Sequence, residues 1–351
     1  MGVRVLLVTV GVISVLASAG TNSPNDPARA FLISSLNVTS SDMHRIDSGQ
    51  VFSRTLDVSD RREVATLGVV RVKMTPAFYV ERLADIAHFK RDEAVLQIGT
   101  FGNPPDVGDV ADLTLDDSDV RSLRGCRVGD CGIQLSAEAI ERFRHDVDWE
   151  RADAPRQANV LMREILVDYV AKYRKAGTRA SMQYADRAEP LNLAREFVSL
   201  AASDLGAWQR FPALRRHLLA YPADGVSGAI DVLYWSKERV GRRGVVSITH
   251  LAINRTASES GAEYAIASKH LYGTHYYDAS LGLTILVRDS STSSPATYLA
   301  YVNRSRVDVF DGIFGGIARR IVTTRARSTV SDQLARMQQS LEQQFALSHA
   351  H

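Results

Sequence analysis

The feature that most constrains this chain is a change of hydrophobic period in its last third. Residues 230–235, 245–254, 263–274, 281–287 and 298–304 are runs rich in β-branched and apolar residues, punctuated by Gly, Ser and Pro295, and they predict five strands. Their connections are short enough for an antiparallel meander. The spacing then switches: Phe310, Ile313, Phe314, Ile317 and Ile321, followed by Val330, Leu334, Met337, Leu341 and Phe345, step at three and four residues. That is the period of one long helix with a side that must be covered.

The other end of the chain bears on where it works. A basic start at Met1 to Arg4, an apolar run over 5–16 and the small residues Ala17-Ser18-Ala19 predict a secretory signal peptide over 1–19. The run is too short to cross a bilayer, which takes roughly 20 apolar residues, and no later stretch is long and apolar enough. The expected location is therefore periplasmic or secreted, with no transmembrane span in the mature protein. A charge of +2, from 42 basic against 40 acidic residues, is too balanced to require nucleic acid as a partner. With 45% hydrophobic residues the chain can bury a large core.

Cys126 and Cys131 are the only cysteines, and they lie in a Gly-Cys-Arg-Val-Gly-Asp-Cys-Gly turn. In an oxidising compartment they are expected to form a disulfide. So small a loop contributes about 2 kcal/mol in the chain-entropy model, which makes it a local staple. A metal site needs further ligands at compatible spacing, and a redox pair favours the shorter CxxC spacing.

Upstream of the meander, 20–45 reads as a leader, with strands over 50–56 and 64–74. Thr75-Pro76 then caps a helix reaching about Phe89, and a further strand covers 94–101. Asp106, Asp109, Asp112, Asp116, Asp117 and Asp119 do not have EF-hand spacing, and turns and helix caps explain them more simply than calcium. Residues 135–224 read as a helical block. Ser136 caps a first helix; Leu161, Ile165, Tyr169 and Tyr173 line one face of a second; two shorter helices follow.

This order resembles the helix-grip fold of START-related, polyketide cyclase-like domains. The resemblance rests on Val69-Val70-Arg71-Val72-Lys73-Met74-Thr75-Pro76 leading into Leu83-Ala84-Asp85-Ile86, and on Asp308 to Phe345. It implies an α+β fold, a helix-grip-like antiparallel sheet covered by a long C-terminal helix, over 46–134 and 225–347; the helical block over 135–224 departs from the pattern of such domains and reads as an insertion. It also implies a cavity between sheet and helix for a hydrophobic small molecule or lipid.

Candidate contacts to the polar head of such a ligand are His270, Tyr272, Tyr276, Tyr301 and Asn303, with Arg304 for an acid. A regular pleat puts His270, Tyr272 and Tyr276 on one face and His275 on the other. His270, His275 and Asp278 therefore do not make a metal site on one strand. Cross-strand pairing and surface ion pairs are the structural alternative for all of these residues. No nucleophile elbow, zincin, P-loop or dinucleotide fingerprint is present, so no cofactor and no catalytic residue is expected from motifs. Two further readings stand beside ligand binding: a secreted enzyme with His270 or His275 as general base, and an envelope scaffold whose helical block binds another protein.

Overall fold

The computed structural model describes residues 26–202, 206–223, 225–226, 228–256, 261–308 and 315–349, with side chains from 319 onward in the last of these. The expected signal peptide over 1–19 lies outside the described residues.

Asp26 caps the first helix, α1 (Pro27–Leu36): its carboxylate accepts the Ala28 N–H at 3.0 Å, and Pro27 stands in the first turn. A Thr39–Asp42 capping box opens α2 (Ser40–Asp47). Phe31, Leu32, Met43 and Ile46 of these helices are buried against the sheet. The stretch expected as a leader over 20–45 thus supplies part of the core. Its apolar residues are diluted by polar ones, of which Asp26, Asn37, Thr39 and Asp42 here cap the helices.

Next come β1 (Phe52–Thr55), β2 (Glu63–Val72), α3 (Pro76–Ala84), α4 (Ile86–Phe89) and β3 (Val95–Thr100). The single helix expected over 76–89 is broken at Asp85, whose side chain turns back to accept the His88 N–H. Thr75 caps α3 as expected.

The chain leaves the sheet at Thr100 and returns at Ile230. In between run a short 3₁₀ turn, α5 (Asp117–Gly125), α6 (Ala137–Asp146), α7 (Ala154–Ala176), the two-residue strands β4 (Gln183–Tyr184) and β5 (Leu191–Asn192), then α8 (Leu193–Ala202), α9 (Gly206–Gln209) and α10 (Pro212–Ala220). This helical insertion starts earlier than residue 135. The Asp-rich segment belongs to it, and its carboxylates cap and pair: Asp106 accepts the Gly108 N–H, Asp109 that of Gly102, and Asp116 bonds Lys237 and Gly244. Cys126 and Cys131 form the disulfide.

Five long strands and one helix close the chain: β6 (Ile230–Val240), β7 (Arg243–Arg255), β8 (Tyr264–Gly273), β9 (Tyr277–Arg288), β10 (Thr297–Val307) and α11 (Gly315–Ser348). Among the described residues the main sheet has eight antiparallel strands in the order β1-β2-β10-β9-β8-β7-β6-β3. The fold is α+β, a helix-grip-like antiparallel sheet with a long C-terminal helix and a helical insertion.

The sheet has two covered faces. The insertion packs on the outer face, where Leu233, Trp235, Val246, Ile248, Leu271 and Tyr272 meet α5 to α7. Further along that face α1, α2 and α8 to α10 cover Ala300, Val302, Leu283 and Ile285. Helices α3, α4 and α11 take the inner face, with Val70, Leu251, Ile253, Ile266, Leu286 and Leu299. Val330, Leu334 and Leu341 of α11 are buried there, as the periodicity predicts, and α11 lies along β1 and β2. Its close approach needs Gly68: a Cβ at that position would stand 2.4 Å from a Leu334 methyl and 2.7 Å from one of Val330. The apolar stripe is not continuous, because Ile321 is 48% exposed. Phe310, Ile313, Phe314 and the Ile317 side chain lie outside what is described. Among the described residues no helix is long and apolar enough to cross a membrane.

Candidate functional site

The inner face changes character along its length. Beside α3 and the C-terminal half of α11 it is aliphatic and closed. Two strand positions further on, cross-strand rows set small polar residues side by side. One row runs Leu251, Ser268, Gly282, Asn303 and Thr66; the next carries Ile253, Ile266, Thr284, Tyr301 and Gly68. A third brings Tyr234 beside Thr249 and Thr249 beside His270, and pairs Ser280 with Ser305.

Burial follows the pleat. Thr249, Ser268, His270, Ser280, Thr284, Tyr301 and Asn303 keep partial exposure, whereas Ala267, Lys269, Leu283, Ile285, Ala300 and Val302, which point the other way, are buried. Small side chains form the floor of this part of the face. Gly282 marks the depth of that floor, since a Cβ there would meet Ser268 Oγ at 2.3 Å and the Tyr301 ring at 3.4 Å.

Hydrogen bonds knit the floor together. Asn303 Nδ2 donates to Ser280 Oγ at 3.2 Å and to the Tyr301 hydroxyl at 3.3 Å, while its Oδ1 accepts from Ser305 Oγ at 2.8 Å. Tyr79 of α3 reaches over and shares a hydrogen bond with Thr284. At the far end Lys90 Nζ pairs with Glu238 at 2.7 Å, and Ser236 donates to the same carboxylate oxygen at 2.7 Å. The Lys90 ammonium also lies 5.3 Å from the centre of the Tyr234 ring. His270 packs its ring edge on Tyr277, with centroids 5.6 Å apart, and its Nε2 has no hydrogen-bond partner among the described residues.

The electrostatics connect these groups. Burial pushes His270 down to about 4, against a smaller upward pull from Glu238, so its ring is neutral at physiological pH. Burial holds the Tyr301 hydroxyl up at about 12, partly offset by Asn303 and Lys90. Desolvation is the strongest influence on the Glu238 carboxylate and pushes it up, but Lys90 and the Ser236 hydroxyl act together against it and hold the group below its ordinary range. The face therefore offers a neutral imidazole, phenol and amide donors, and one internally neutralised ion pair.

Of the candidate residues, His270, Tyr301 and Asn303 share this face. Three do not. Tyr272 lies on the outer face under Tyr184, with ring centroids 6.1 Å apart, because a bulge opposite Ile248/Thr249 inserts Leu271 into β8 and flips the alternation. Tyr276 stands in the β8–β9 turn at φ 69°, beside His275. Arg304 points to the outer face and is buried on Glu63. His275 is also apart: its Nε2 meets Asp119 at 3.1 Å and its Nδ1 meets Arg243 at 3.3 Å. Asp278 pairs instead with Arg187 at 2.8 Å.

Lys90, Ser236, Glu238, Ser268, Tyr277, Ser280 and Thr284 are additions that the sequence reading did not make. Ser236 and Glu238 had a signal: the inward alternation Val232, Tyr234, Ser236, Glu238 continues past Trp235, where the strand was expected to end.

Two cavities open elsewhere. One of 550 Å³ lies beside the end of α11 and is lined by Lys73, Pro295, Glu342 and Phe345. The other, of 460 Å³, lies in the helical insertion between α6 and α7. Neither is lined by the residues of the polar floor.

What fold and site define together is an α+β protein with a polar, partly exposed floor on the face of its sheet that α11 packs against. No family model, curated protein or solved structure matches the chain.

Proposed function

We propose that this is an exported, START-related protein that binds or carries an amphipathic, lipid-like ligand between the inner sheet face and the C-terminal helix. The START reading is supported by connectivity: β2 and β10 are neighbours, α3 and α4 link β2 to β3, and α11 follows the meander. Export is supported by the disulfide and by the leader composition.

The observation that carries the ligand reading is the row of small, partly exposed polar residues ending at an unpartnered His270 Nε2. A face meant only for dry packing against a helix would be filled with large aliphatic groups. Here Tyr301, Asn303 and His270 would hydrogen-bond a polar head, with the apolar portion of the ligand lying over the rest of the floor. A free imidazole nitrogen kept neutral suits a hydroxyl, ester or amide head better than a naked carboxylate.

The test is titration of the purified protein with a fluorescent fatty-acyl probe. Saturable uptake at one probe per chain is expected, and Ser268→Phe, which fills the floor, should abolish it while the far-ultraviolet circular dichroism stays unchanged. Equal uptake by the variant and the native protein would overturn the proposal.

A further inference from the structure

On the opposite face of the sheet, three ligand-type side chains from three elements converge. Asp231 of β6 and His250 of β7 are diagonal neighbours across the strand pair, since Asp231 lies opposite Ala252 and Leu233 opposite His250. His217 comes down from α10. His217 Nε2 is 2.7 Å and His250 Nε2 is 2.8 Å from the same oxygen, Asp231 Oδ1. The three ligand atoms all lie within 4.8 Å of one another.

We propose that His217, Asp231 and His250 form a binding site for a first-row divalent metal ion such as zinc or cobalt.

Ligand chemistry supports this. Two imidazoles and one carboxylate are the donor set of three-ligand zinc and non-haem iron centres, which leave further coordination positions for water or substrate. Ligand bonds of about 2.1 Å span donor pairs roughly 3.0 to 3.4 Å apart, so the two contacts of 2.7 and 2.8 Å would open by a few tenths of an ångström as an ion replaced the bridging protons. The surroundings hold the ligands in place. Tyr173 places its hydroxyl 2.9 Å from His250 Nδ1, where an outer group holds the ring with Nε2 directed at Asp231. Tyr221 packs on the His250 ring at 4.6 Å and stacks on Tyr173 at 5.3 Å.

Both histidines are almost wholly buried while Asp231 is 25% exposed, so the site has a wet side through which an ion can enter. It is also independent of the inner face, because the sheet separates the two.

The experiment uses the full chain, stripped with a chelator and titrated with zinc by calorimetry and with cobalt by visible absorption. His349→Ser with His351→Ser forms the background, which removes the terminal histidine pair. One zinc per chain is expected, together with cobalt d–d bands of a low-coordinate N,O site. Asp231→Ala and His250→Ala should each weaken binding by roughly 100-fold or more. Asp231→Asn, which keeps an acceptor for both imidazoles, should stay folded by circular dichroism and still lose the metal. Absence of binding in the background protein, or zinc affinity unchanged in Asp231→Asn and His250→Ala, would overturn the proposal.

Discussion

At the scale of single residues, the inner face depends on groups whose polarity is only partly satisfied by the fold. Tyr301→Phe removes the hydroxyl that Asn303 reaches but keeps the ring. It should leave the melting temperature nearly unchanged and weaken binding of a fluorescent acyl probe about 5- to 10-fold, the worth of one hydrogen bond. His270 gives a pH signature. Its folded value of about 4 lies below the ordinary value near 6.5, so between those limits the unfolded chain binds more protons than the folded one. Stability therefore rises with pH across that window and is lost on acidification. His270→Gln should remove this loss, so that urea titrations at pH 7 and pH 4 show a drop smaller than in the native chain by about 1–3 kcal/mol; an identical drop would contradict the burial of a neutral imidazole. Alternation alone places Tyr301 and Asn303 on one side of their strand, but whether His270 shares that side depends on how the strands pair. Tyr272 escaped it because one extra residue in β8 reverses the pleat, and the burial of Arg304 on Glu63 was hidden because the two are 241 residues apart in sequence.

Among elements, the decisive contact is α11 on β2. Its seam is Val330, Leu334 and Leu341 over Gly68, and the glycine is what lets the helix approach. Leu334→Ala should cost about 2–4 kcal/mol in chemical denaturation, the range for a buried leucine truncation. Gly68→Val should cost about 1–3 kcal/mol through overpacking at the same seam, and with Leu334→Ala in the same chain the two costs should be far from additive. Additive costs would mean that α11 does not ride on Gly68. This seam was legible in the three-and-four spacing of 330–345, and so were the meander and the capped start of α3. The N-terminal helices were not, because the short apolar run Phe31-Leu32-Ile33 and the single residues Met43 and Ile46 are set among polar residues that read as linker. The break at Asp85 was hidden too, since an aspartate inside an apolar periodic run can either continue the helix or cap a new one.

For the whole molecule, the sheet separates two environments. The outer face is buried under the helical insertion and the N-terminal helices, and it holds the ionic and histidine clusters. The inner face is closed by aliphatic packing at one end and floored with small polar groups at the other. No local pattern in the sequence reveals that division, because it depends on which helix lands on which face. His217 meets Asp231 and His250 only once α10 has folded back over β6 and β7. The most direct test of the ligand-binding claim is native mass spectrometry of the full chain purified gently from an exporting host. The spectrum should carry one adduct per chain, released by organic solvent and identified as an amphipathic lipid or polyketide, and diminished in Ser268→Phe. A spectrum of the bare chain alone, unchanged after incubation with acyl probes, would contradict it.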